Sequence, residues 1–282
     1  MSVQAAPFFP APPRLRGIVE ELRRDEPILF GLSVLILSLM PLTALAALLD
    51  DRLFGGVSVW QKPWKFELAL LTYALTLAFF ARFLPAGLTA RRGYRLYSGA
   101  VALAIVLELA WIGAAAALGT ASHFNATPTG QAIYNLMGLL AVLLTSISAF
   151  YAWGIARNPR MGLAPVLHLS LVLGLALVLP LTLITAGFMS ASGGHAVGAA
   201  AGAEGANGLF LMGWSREHGD LRVPHFFATH AMHFVPAFGL VSAWVWGGAR
   251  TRPVWLFSAV YVGLVAYAFA EALSGRPFLP FL

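Results

Sequence analysis

The chain predicts an all-α fold: a polytopic membrane helix bundle of about seven transmembrane helices, N-terminus inside and C-terminus outside. Three observations predict it. Of 282 residues, 59% are hydrophobic and only 11% are charged, against roughly 25% charged in soluble domains. Apolar runs near the ~20 residues that cross ~30 Å of hydrocarbon recur from end to end. The basic residues also alternate in density between successive connections, as cytoplasmic loops rich in Lys and Arg require.

The elements follow in order. Residues 1–27 form an N-terminal tail, Pro-rich at first and then charged, in which 14–26 has the makings of a short surface helix. The first apolar run begins near Ile28 and is too long for a signal-peptide core. Residues 28–282 read as one transmembrane domain, with spans at about 28–49, 64–84, 96–118, 131–156, 162–187, 225–247 and 253–273. Pro180 and Pro236 are expected to break the fifth and sixth spans. With the N-terminus inside, twelve basic residues fall on the cytoplasmic side: Arg14, Arg16, Arg23, Arg24, Arg82, Arg91, Arg92, Arg95, Arg157, Arg160, Arg250 and Arg252. Six fall outside: Arg52, Lys62, Lys65, Arg216, Arg222 and Arg276. The longest external connection, 188–224, opens with a flexible Gly/Ala run over Gly193–Gly208. It continues through Leu209–Trp214, which suits the membrane interface.

Composition excludes several functions. The net charge of +6 is spread over loops and reports topology, so no nucleic-acid partner is implied. The absence of cysteine removes disulfides, thiolate metal ligands and Cys nucleophiles. No nucleotide-binding, Gly-x-Ser-x-Gly or His-Glu-x-x-His motif occurs, and the seventh span has no Lys for retinal. The expected partners are the lipid bilayer and a small or lipid-like molecule. A homo-oligomer or a larger membrane complex stays open.

Against this apolar background the ionisable residues stand out. Gly219–His233 carries Asp220, Arg222, His225, His230 and His233 at the head of the sixth span. His230 and His233, three apart, share a helix face. Glu108 lies mid-span in Leu-Glu-Leu-Ala-Trp, ~15 Å below the outer end of its helix and level with His233. Glu67 and Glu271 lie near outer helix ends, and His123 follows the third span. Intramembrane ionisable residues are costly, by ~2.5–3.5 kcal/mol for a central charge, and mark a site by default.

Imidazole and carboxylate at one depth suit Fe, Cu or Zn, with Glu108, His225, His230 and His233 as the ligand set. Glu108 and His230 are then the acid–base groups. Haem b with a single histidine ligand is the next option; His168 sits ~8–10 Å too far inward to pair with His230. A proton- or cation-linked transporter or receptor needs no cofactor, and a non-enzymatic complex subunit is a further option. Whether the chain is an enzyme stays open.

Three segments carry a resemblance: Lys62-Pro63-Trp64-Lys65-Phe66, Ser122-His123-Phe124-Asn125, and Gly219-Asp220-Leu221-Arg222 followed by His225-Phe226 and His230. Together they resemble a bacterial family of multi-pass inner-membrane proteins that has no assigned activity. The resemblance implies a bacterial cytoplasmic (inner) membrane location and a site on the periplasmic face. It adds His123, Asn125, Lys65, Asp220 and Arg222 as cofactor- or ligand-binding candidates. In that pattern the place of His233 is more often Gln, which implies that His233 is a dispensable ligand.

Overall fold

A computed structural model of the chain describes residues 15–158, 162–199, 208–209 and 212–279. The Pro-rich start of the tail with Arg14, half of the Gly193–Gly208 run, Arg160, and Phe210 and Leu211 of the proposed interface segment lie outside these. Among the described residues there are seven helices long and apolar enough to cross a membrane, and almost no strand.

α1 (Leu15–Asp25) is the short charged helix expected from the tail. It buries Leu22, and its Glu21 pairs with Arg82 at 3.3 Å at the inner end of the second span. α2 (Pro27–Leu49) starts where Glu26 caps it, accepting the Leu29 N–H, with Pro27 in the first turn. This is the favoured start, because the Pro lacks an N–H that would go unpaired there anyway. Much of α2 is exposed, including Leu35, Leu37, Leu42 and Leu45, as befits a helix facing lipid. β1 (Leu53–Phe54) and β2 (Val57–Ser58) form a tight hairpin over Gly55 and Gly56. Both glycines have positive φ, 58° and 80°, as the favoured two-residue turn demands.

The remaining spans are α3 (Gln61–Phe80), α4 (Arg92–Ala117), α5 (Pro128–Ala156), α6 (Pro165–Ala191), α7 (Arg222–Trp246) and α8 (Arg252–Leu273). Sequential helices pack side by side, most extensively α6 on α7. Glycine permits that approach. A Cβ on Gly174 would lie 2.7 Å from Pro236 Cδ, and one on Gly239 would lie 2.5 Å from Ser170 Cβ. α6 and α7 run unbroken through Pro180 and Pro236, contrary to the expected breaks. The missing N–H of a proline costs little where a neighbouring helix holds the backbone in place, and Pro236 is seated against Gly174 of α6.

β3 (Ala196–Val197) pairs antiparallel with β4 (Gly219–Asp220), pinning the end of the 188–221 connection to its start. The charge distribution assigns this end of the bundle, with the β1–β2 hairpin and the 118–127 turn, to the outside; it is called the outer end below.

Candidate functional site

α3 and α7 define the site. At roughly 100° per residue, Lys62, Lys65, Ala69, Thr72, Tyr73 and Thr76 fall within one face of α3. On α7 the same geometry groups Arg222, Phe226, Thr229, His230 and His233. These stripes meet through side chains rather than through extended backbone contact. Thr76 Oγ1 lies 2.9 Å from His233 Nε2, and Lys65 Nζ reaches the Met212 carbonyl at 3.3 Å, close to the start of α7. This polar seam between α3 and α7, called the cleft below, carries Lys65 at its outer end and Thr76 and His233 deeper.

The histidines form a string. His230 Nδ1 lies 3.1 Å from His233 Nδ1, so one ring donates and the other accepts. His230 also stacks on Phe226, ring centres 4.2 Å apart. His225 is turned away by roughly 80–140° around the helix. It meets Thr185 of α6 at 3.4 Å instead.

Glu108 does not join them. It is 6% exposed, its electrostatic partner is Lys62, and its Oε1 has no hydrogen-bond partner among the described residues. Glu108, His225, His230 and His233 are therefore not gathered into one metal shell. Among the described residues no group of three or more His, Asp or Glu side chains is placed to hold a metal ion. Helix geometry is the reason: His225 looks to α6, while Glu108 looks to the mouth of α3.

Around Lys62 a second cluster forms. Its Nζ lies 3.3 Å from His123 Nδ1, and Ser122 Oγ lies 3.1 Å from the same nitrogen. Burial, and then the Lys62 charge, pull His123 down to about 3, so it is neutral and accepts from Lys62. The Ser122–Asn125 turn aims His123 inward. Phe124 adopts φ 55°, a left-handed conformation rare outside glycine. The Asn125 amide holds that turn by donating to Thr120 Oγ1 and the Ala121 carbonyl and accepting from Thr127 N and Oγ1. Asn125 is thus occupied as a turn organiser.

The third group straps the mouth. Arg222 forks onto Asp220 at 2.6 and 2.9 Å and donates to the Gly213 carbonyl at 2.6 Å. Burial alone would raise the Asp220 carboxyl. The hydrogen bonds and charge of Arg222, with the N–H groups of Ser215 and Arg222, outweigh it and hold Asp220 below the usual carboxylate range. Trp214 packs on Phe226 at 5.2 Å. Lys62 and Lys65 both feel Arg222 as a like charge.

Two carboxylates flank the cleft without entering it. Glu67 faces α2, where Thr43 donates to it at 2.6 Å. Glu271 is held by Arg276 at 2.7 Å, closing the end of α8. His168 lies 3.0 Å from the Ile155 carbonyl, on the inner side.

One buried network went unforeseen in the sequence. Glu26, 1% exposed, accepts from Ser98 at 2.9 Å and from Tyr94, whose hydroxyl lies 2.6 Å from that of Tyr151. The available signal was an acid directly before Pro27 at the head of an apolar run, a helix-cap pattern. No family model, no curated protein and no solved structure matches the chain.

Proposed function

We propose that the protein is a proton-linked carrier or receptor of the bacterial cytoplasmic membrane, taking a small or lipid-like molecule from the periplasmic side into the α3–α7 cleft. One observation carries this reading: the string from His230 through His233 to Thr76. Serially hydrogen-bonded imidazoles pass a proton by exchanging donor and acceptor roles between their two ring nitrogens. The mouth of the cleft is cationic and its wall aromatic, which favours a ligand with both anionic and apolar parts.

The test is proton entry into proteoliposomes loaded with a pH-sensitive dye, driven by a potassium-diffusion potential. Acidification above that of protein-free vesicles is expected, reduced roughly tenfold, equivalent to ~1.4 kcal/mol, by His230→Gln. Rates equal to those of protein-free vesicles would count against proton linkage.

A second reading rests on the same pair. Nitrogens 3.1 Å apart suit two neighbouring ligands of a metal with bonds of ~2.1 Å. A Zn, Cu or Fe ion held by His230 and His233 would support redox or hydrolytic chemistry, and haem b would need one of them as its axial ligand. Stoichiometric metal or a Soret band in the purified protein selects this reading.

A further inference from the structure

Lys62 and Glu108 lie near enough to attract each other but form no ion pair. Each is the other's opposite charge, yet no lysine or arginine nitrogen lies within 4.0 Å of the Glu108 carboxylate among the described residues. Glu108 is more than nine-tenths buried and its Oε1 is unpartnered. Lys62 is exposed, and its close polar contact is the neutral ring of His123. A buried acceptor left unpaired costs on the order of 1–3 kcal/mol, more for a charged group. The protein thus holds a buried acid without an ion-pair partner and, within its electrostatic reach, a lysine without a carboxylate partner.

The geometry points to a subsite for a zwitterion: an anionic phosphate or carboxylate received by Lys62, and a primary ammonium received by Glu108. Arg222 adds positive potential on the anion side, since Lys62 feels it as a neighbouring charge. Asp220 is committed to Arg222 and so does not compete for the ammonium. His123 accepts from Lys62, which fixes the position of the Nζ. The ammonium must carry N–H groups, because Glu108 can only accept; a trimethylated nitrogen offers the charge without the hydrogen bond. This chemistry belongs equally to the headgroup of phosphatidylethanolamine and to free compounds such as phosphoethanolamine or β-alanine. The inference deepens the cleft reading above by naming its ligand class, and it needs no transport to be tested.

The experiment measures equilibrium binding in phosphatidylcholine nanodiscs. One arm titrates phosphoethanolamine and β-alanine against their trimethylated counterparts. The other dopes the discs with phosphatidylethanolamine and reads the lipid retained by native mass spectrometry. In at least one arm the primary-ammonium probe is expected to be preferred about tenfold. Preference in the first arm marks a free ligand, and preference confined to the second marks a lipid. Lys62→Met and Glu108→Ala are each expected to abolish it, whereas Glu67→Gln, altering a buried carboxyl that faces α2, preserves it. Absence of preference in both arms, or preference surviving Glu108→Ala, overturns the proposal. Proton flux without binding would overturn this subsite alone; binding without proton flux would overturn only the proton linkage.

Discussion

Lys65 and Arg222 grip successive carbonyls of one strap: Lys65 Nζ holds Met212 O at 3.3 Å and Arg222 Nη2 holds Gly213 O at 2.6 Å. The first residue belongs to α3 and the second to α7. The strap therefore couples the two walls of the cleft at its outer mouth.

Arg222→Lys should loosen this strap. A lysine cannot fork onto Asp220 and reach Gly213 at once, because only guanidinium offers the planar set of donors. About 1–2 kcal/mol of stability is expected to be lost, with faster proteolysis in the 212–221 segment as the local readout. Unchanged protease sensitivity would show that Trp214 packing alone holds the loop.

Acid should weaken the outer end in two stages. His123 is depressed to about 3 from 6.5 in the fold, so the unfolded chain binds the proton first. Stability present above pH ~6.5 is lost as pH falls toward that folded value, by up to ~1.4 kcal/mol per unit. Asp220 is also lowered; its contribution is present above pH ~3.9 and is lost only below that. Thermal melts between pH 7 and 5 should thus flatten in His123→Phe and not in Asp220→Asn.

His233→Gln should be mild, whereas His230→Leu should not. A glutamine amide can donate or accept toward both Thr76 and His230. Leucine leaves His233 Nδ1 without its partner in an apolar setting, at a cost of ~1–3 kcal/mol. Melting temperatures of the two variants in the same detergent give the comparison.

The buried carboxylate Glu26 should prove the most sensitive single position at the opposite end. Glu26→Ala removes a helix cap and strands the Ser98 hydroxyl, leaving Tyr94 only Tyr151 as a partner, for ~2–4 kcal/mol in all. Tyr151→Phe removes one hydrogen bond at the edge of this network and should cost only ~1 kcal/mol. Equal losses would mean that packing of Tyr151 dominates the network.

Close contact of α6 and α7 should be intolerant of even one methyl group. Gly174→Ala places a Cβ 2.7 Å from Pro236 Cδ and 3.0 Å from the Ala231 carbonyl. Because packed interiors yield little, ~1–3 kcal/mol is expected to be lost, and α7 must shift. The variant should then perturb the NMR signals of His230 and His233 on that helix.

Much of the architecture was legible because hydropathy acts locally. The seven apolar runs each depend on a few adjacent residues; the caps at Glu26 and Thr127 and the Gly55-Gly56 turn are equally local but were not read from them. Helix periodicity also placed His230 beside His233. The same periodicity, applied to α3, would have shown the Lys62–Thr76 stripe, which hydropathy conceals because its members are spaced three and four apart. The shared depth of Glu108 and His233 could be estimated, but not their facing directions.

Sequence alone determined that this is a membrane bundle, how many helices of spanning length it has, and which segments carry its histidines and intramembrane acids. Those properties follow from the free energy of placing each segment in hydrocarbon, which is nearly a sum over residues. Only the tertiary structure decided which of those residues meet. Helix rotation depends on the packing of glycine faces such as Gly174 against Pro236, and on side chains from distant segments. That rotation brings Glu108 within electrostatic reach of Lys62, His225 to Thr185, and His233 to Thr76.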